Sequence, residues 1–191
     1  MDRYYSFIFK GLLSRTALEK TEAKSRAHLS ESIDPTIAER LSMELLDLDQ
    51  IVMARRMGTA YTAIAAFENT LRQFVAKVLL ENVSDEWWAT CASQKVQKKV
   101  DGRIQEEQSI KWHAQRGAEP INYTDFGDLS ALICTNWEYF EPHFMSQDWI
   151  SAILSMLERS RNVIMHSGQL EESDIERVGT IIRDWSRQVG L

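Results

Sequence analysis

Three prolines and eight glycines in 191 residues leave few places where this chain can turn sharply. A sandwich or barrel of short strands needs a turn signal every ten residues or so, and long stretches here carry none. Pro35, Pro120 and Pro142 stand far apart, and between them apolar residues recur at every third or fourth position. That spacing gathers apolar side chains on one face of an α-helix. The expected fold is therefore all-α: an antiparallel bundle of four to five main helices. Hydrophobic residues make up 44% and charged residues 26% of the chain, enough to bury one core without disulfide or metal support.

The helices can be read in order. "SIDPTIAERLSMELLDL" opens with Asp34 as N-cap and Pro35 at the first helical position. Ile37, Leu41, Leu45, Leu48 and Val52 continue as one apolar face, which resumes at Tyr61, Ile64, Leu71, Phe74 and Val78. Gly58 either bends this element or is carried within it at a cost of about 1 kcal/mol. "SDEWWATCASQKVQKKV" follows, capped by Ser84 or Asp85, and then a polar, glycine-interrupted connector that is expected to be partly helical. "DLSALICTNWEYFEPHF" reads as a short helix stopped near Pro142, with Asp125 and Asp128 capping its start. In "SQDWISAILSMLERSRNVIMHSG" the buried face is Trp149, Ile153, Leu154, Leu157 and Ile164, and Gly168 stands where a terminator belongs. The last helix, "SDIERVGTIIRDWSRQV", shows a capping-box spacing at Ser173 and Glu176 and an inward stripe of Ile175, Val178, Ile182, Trp185 and Val189. Residues 1–35 fit the pattern least and are expected to form an N-terminal helical extension to a domain over 36–191.

Several function classes are poorly served by this sequence. The net charge of −6 argues against a general nucleic-acid binder, although Lys95, Lys98, Lys99, Arg103, Lys111 and Arg116 concentrate positive charge in one region. Two distant cysteines, Cys91 and Cys134, read as buried reduced thiols in a reducing, cytoplasmic setting. The N-terminus carries Asp2, Arg3 and Lys10 without a cleavage pattern, so it does not read as a signal peptide, and no apolar run approaches a membrane span. His28, His113, His143 and His166 are scattered with no metal-ligand spacing. Phosphate-loop and nucleophile-elbow motifs are missing, and no cofactor is expected.

"RSRNVIMHSG", residues 159–168, is the stretch with chemistry in it. Asn162 and His166 are four apart and share a helix face, and the long side chain of Arg161 can swing toward them. A histidine in a last turn sits in the negative potential of unpaired carbonyls, which suits proton transfer near neutral pH. Arginine clamps phosphate with paired hydrogen bonds. Together these are parts for metal-independent RNA cleavage, yet basic residues in last turns also serve as plain helix caps.

The wider context resembles a known family. "RNVIMH" is similar to the RNxxxH form of the motif of the HEPN superfamily of all-helical domains. "AFENTLRQFVAKVLL" (66–80), "DEWW" (85–88), "NYTDFGDLSALICTNWEYF" (122–140) and "RNVIMHSGQLEESDI" (161–175) follow the order of one branch, found in RNA-surveillance endonucleases and bacterial defence proteins. The resemblance covers about residues 36–188. It implies a HEPN-like bundle that dimerises, with Arg161, Asn162 and His166 facing a cleft at the two-fold axis. Glu68, in "FENTLR", matches an acidic position of the branch, or else pairs with Arg72 as helix surface chemistry. Lys95, Lys98, Lys99 and Arg103 could contact RNA phosphates or form a solvated face. Trp87, Trp88, Trp137, Trp149 and Trp185 are expected in the core or a dimer interface, and His113 and His143 on the surface.

Two functions follow from the resemblance. One is a metal-independent RNA endonuclease with an Arg-Asn-xxx-His site in a homodimer cleft, serving as a toxin or anti-phage effector. The other is a non-catalytic module for dimerisation or for binding RNA, a nucleotide or a partner protein. An antitoxin or immunity subunit bound to a separate protein is a third possibility.

Overall fold

A computed structural model describes residues 34–190. It is helical throughout, with no strand among the described residues. The chain divides between Arg55 and Arg56 into two compact units. Most of the extension expected over residues 1–35 lies outside the described residues.

The first unit contains α1 (Pro35–Arg40), a 3₁₀ turn (Met43–Leu45) and the first residues of α2 (Leu48–Asn82). Asp34 caps α1 as expected, its carboxylate accepting from the N–H groups of Thr36 and Ile37. The single apolar face expected from Ile37 to Val52 does not form. The chain leaves the helix at Leu41, Ser42 adopts a left-handed conformation, and Ile37, Leu41, Leu45 and Val52 are all exposed. The period was right for a helix, but Ser42 interrupts its register.

The second unit holds the core. α2 passes through Gly58 unbroken, and a side chain there would meet nothing, so the glycine costs propensity without serving packing. Ile64, Phe67, Leu71, Val75, Val78 and Leu79 of α2 are buried. The segment expected to be one helix after Asn82 is two: α3 (Trp87–Cys91) and α4 (Gln94–Ser109). They separate at Ala92–Ser93, where the Ser93 hydroxyl caps α4 by accepting from Val96 N–H. Ser84 accepts from Glu86 N–H, one residue before α3.

A second 3₁₀ turn (Pro120–Tyr123) leads into α5 (Phe126–Thr135) and the short α6 (Trp137–Phe140). Asp125 and Asp128 form a reciprocal capping box at α5, as the sequence suggests. α5 packs along α7 (Gln147–Met165), and α7 packs on α8 (Glu172–Val189). Trp185 of α8 is fully buried, with its ring 5.1 Å from Phe67 and 5.7 Å from Phe74 of α2. Asn136, buried between α5 and α6, donates to the carbonyls of Leu132 (2.8 Å) and Cys91 (3.1 Å) and so ties α3 to α5. Without those bonds its amide would be costly to bury.

Other details correct the sequence reading. The capping box of α8 uses Glu171 and Asp174, two residues before the expected Ser173 and Glu176. Ile181 joins Val178 and Trp185 as the buried side chains of α8, whereas Ile175, Ile182 and Val189 are half-buried. His143 is half-buried rather than on the surface, with its ring edge 5.2 Å from Phe74. Cys91 is buried but Cys134 only partly so, and both are free thiols.

Candidate active-site cleft

The C-terminal end of α7 is built by local chemistry. His166 is the C-cap, Ser167 takes a left-handed backbone with φ 59°, and Gly168 N–H donates to Val163 O at 2.8 Å. Ser167 N–H donates to Ile164 O at 2.9 Å. This pair of bonds is the Schellman pattern, with serine rather than glycine in the left-handed position. Gly168 is needed for a different reason than expected. A Cβ there would lie 2.8 Å from the Val163 carbonyl oxygen, so only glycine lets the chain fold back so closely.

One turn before this cap, Arg161 points into an open-sided cleft of about 610 Å³. Its lining includes Glu68, Asn69 and Arg72 from α2, Arg103 from α4, Arg116, Asn122 and Asp125 from the segment before α5, and Asn162 from α7. Four arginines thus converge on one space. Glu68 is the pivot. Only 6% exposed, it accepts from Arg72 Nη2 at 2.6 Å and from Arg161 Nη1 at 3.2 and 3.4 Å. Arg72 also donates to Thr124 O (2.6 Å) and Asn69 Oδ1 (2.8 Å), while its Nε is buried without a partner. Burial lowers the pKa of Arg72 from its ordinary value. Glu68 works against that lowering, and nearby Arg161 and Arg116 add to it. Arg161 lies over the Phe126 ring at 5.8 Å and donates from Nη2 to Asn162 Oδ1 at 3.4 Å.

A second ionic cluster fixes the far wall. Lys99 donates to Asp125 (2.9 Å) and Asp128 (2.8 Å), and Arg103 donates to Asp125 (2.7 Å), Asp128 (2.9 Å) and the Tyr123 carbonyl. Burial alone would raise the Asp125 carboxyl. The hydrogen bonds from Lys99 and Arg103 outweigh burial and hold it below the usual carboxylate range. The same bonds raise both bases, against the burial that would lower them.

The candidate residues are therefore distributed unevenly. Arg161, Asn162, Glu68 and Arg103 line the cleft. His166 does not line it. The imidazole is exposed beyond the end of α7 and makes no hydrogen bond among the described residues. Lys99 is held against the two aspartates, and Lys95 and Lys98 are exposed on α4 outside the cleft. Trp87, Trp88, Trp137, Trp149 and Trp185 are all at least partly buried. Arg72, Arg116 and Asn122 also line the cleft and were not picked out as site residues. Arg72 left a trace in the sequence through its four-residue spacing from Glu68, and Arg116 through the basic stretch that begins at Lys95, whereas Asn122 left none as a site residue. No group of His, Cys, Asp and Glu among the described residues is arranged to hold a metal ion, and no described helix is long and apolar enough to cross a membrane.

Comparison with known proteins adds one finding. The model of the Swt1-like HEPN family matches residues 62–190, about two thirds of the chain. No curated protein and no solved structure matches.

Proposed function

The chain belongs to the HEPN superfamily, in its Swt1-like family, and from that membership we propose that it is a metal-independent RNA endonuclease acting as a homodimer. The observation that carries the reading is the convergence of Arg161, Asn162 and three further arginines on one cleft. This cleft lies beside a helix end whose C-cap is an exposed histidine, its imidazole making no hydrogen bond among the described residues. Two copies of that helix end, brought together across a two-fold axis, would supply two imidazoles and two Arg161 guanidiniums to one strand.

The chemistry is an in-line transfer. His166 of one subunit takes the proton of a ribose 2′-hydroxyl, and the 2′-oxygen attacks the adjacent phosphorus. The bond from phosphorus to the 5′-oxygen breaks, and His166 of the other subunit gives that oxygen its proton. Arg161 neutralises the phosphoryl oxygens as charge builds on them, while Asn162 accepts from its guanidinium and aims it. The products carry 2′,3′-cyclic phosphate, opened later to a 3′-phosphate, and 5′-hydroxyl ends. Glu68 positions Arg161 from inside the subunit. In the cell this would be a cytoplasmic toxin-like or anti-phage effector, held in check by an antitoxin or other protein.

A specific observation supports a second reading, a non-catalytic binding module. Each cleft arginine already has a carboxylate: Arg72 and Arg161 share Glu68, Arg103 has Asp125 and Asp128, and Arg116 has Glu107. An arriving phosphate must compete with these. RNA incubated with the protein in EDTA separates the readings. Wild type should release cyclic-phosphate ends, and His166→Ala should release none while keeping its light-scattering mass. An Arg161→Ala, His166→Ala double variant that cuts as well as wild type would end the nuclease reading.

A further inference from the structure

Of six tryptophans in the chain, five are at least partly buried and one, Trp112, is 86% exposed. It stands on the loop between α4 and the 3₁₀ turn that begins at Pro120. A large apolar ring left in water gains nothing for folding, because the hydrophobic effect rewards its burial. The loop carrying it is nonetheless tied down. Arg116 Nε bonds Glu107 Oε1 at 2.7 Å, and Arg116 N–H donates to the same carboxylate at 3.1 Å. Tyr123 OH donates to Gly117 O at 3.3 Å, and a Cβ on Gly117 would collide with Asn122 at 2.2 Å. The His113 ring meets the Trp112 ring edge-on, centroids 5.8 Å apart.

The position of Arg116 gives this loop its meaning. Arg116 lines the candidate cleft, together with Arg72, Arg103 and Arg161. It also lines a separate hollow of about 350 Å³ with Ile110, His113, Ala114 and Gln115 of the tryptophan loop. Arg116 therefore borders both the arginine-lined cleft and the loop that presents the exposed indole. Cations spaced along a path, with an exposed aromatic beside them, are the elements by which proteins hold unpaired nucleic acid: the cations follow the backbone and the ring stacks a base.

We infer that Trp112 is a base-stacking platform for single-stranded RNA whose backbone runs from the Arg161 cleft past Arg116. A paired base inside a duplex cannot offer its face to the indole, so the platform selects unpaired strands. This inference rests on the reading of the cleft as an RNA site, and the two can fail separately.

The test uses the full-length protein and fluorescein-labelled 2′-O-methyl oligoadenylate, which cannot be cut because its 2′-oxygen is blocked. The same strand paired with 2′-O-methyl oligouridylate is the duplex control. Trp112→Ala should weaken single-strand binding roughly ten- to a hundredfold, the loss of one stacked base. Trp112→Phe should recover most of that loss, and duplex binding should change little in either variant. Arg161→Ala should weaken both. If Trp112→Ala binds the single strand as wild type does while Arg161→Ala does not, the platform is overturned and the RNA reading of the cleft survives. If wild type binds neither probe, both ideas fall. If Trp112→Ala changes the light-scattering mass but not RNA affinity, the indole serves a protein contact and the inference is wrong.

Discussion

Replacing Glu68 with alanine removes the carboxylate that both Arg72 and Arg161 bind. Taking one partner from a buried ion pair costs about 3–5 kcal/mol, because the remaining charge is left desolvated. Here the figure must be reduced. The side chains of Arg72 and Arg161 keep 16% and 22% exposure, and Arg72 retains its bonds to Thr124 and Asn69. Against this, the two guanidiniums then face each other without a counterion. The net expectation is a loss of about 2–3 kcal/mol, which for a unit of this size lowers Tm by roughly 5–10 °C. Glu68→Gln keeps the volume and one acceptor oxygen and should lose about half as much. Thermal unfolding followed by circular dichroism measures this, and inorganic phosphate adds a second readout. An anion that takes the vacated place stabilises by RT ln(1 + [L]/Kd). A tenfold gain in phosphate affinity would return about 1.4 kcal/mol, or roughly 3–5 °C, relative to wild type at saturating phosphate. A Glu68→Ala protein that melts within about 1 °C of wild type would refute the ion-pair argument. Equal phosphate increments in the two proteins would refute the idea that the carboxylate occupies an anion's position.

Other outcomes follow from the same geometry. Gly168→Ala places a methyl 2.8 Å from the Val163 carbonyl oxygen, so it should cost about 1–3 kcal/mol in chemical denaturation and disturb the turn that carries His166; a neutral result would show that the turn can open without loss. Ser167→Gly relieves a left-handed serine at φ 59° and should be neutral to stabilising by up to about 1 kcal/mol in the same assay; a clear destabilisation would contradict the cap assignment. The folded-state pKa of Asp125 lies below its unfolded value of about 3.9. Its contribution is therefore fully present above pH 4 or so and is lost as pH falls below that. Arg103→Met should destabilise at neutral pH and also lose less stability on acidification, read from denaturant midpoints between pH 5 and 2; an unchanged acid slope would count against the cluster as its source.

Much of the fold was legible because long helices repeat their signal. Ile64, Leu71 and Val78 of α2 and Ile153, Leu154 and Leu157 of α7 lie buried where a three-to-four spacing puts them. The same spacing misled over Ile37 to Val52, since periodicity cannot register a single left-handed residue at Ser42. The cap lies two residues earlier at α8 because Glu171 and Asp174 have the same three-residue spacing as Ser173 and Glu176 and can make the same reciprocal bonds one half-turn sooner. The cleft was harder to read. Arg161 and Asn162 came from a motif and Arg103 and Arg116 from a basic stretch, but that these and Asn122 meet in one cleft follows only from packing between distant segments, which no local pattern encodes. Glu68 shows how sequence reasoning can pose the wrong choice. Its four-residue spacing suggested a pair with Arg72, and its place in "FENTLR" suggested the functional acid of the branch, as if one had to exclude the other. A carboxylate has two oxygens and about four lone-pair sites, so it can hold both. Oε1 bonds Arg72 and shares Arg161 with Oε2. The helix-surface pair is what stiffens the carboxylate, and a stiff carboxylate is what fixes the direction of an arginine ninety-three positions away.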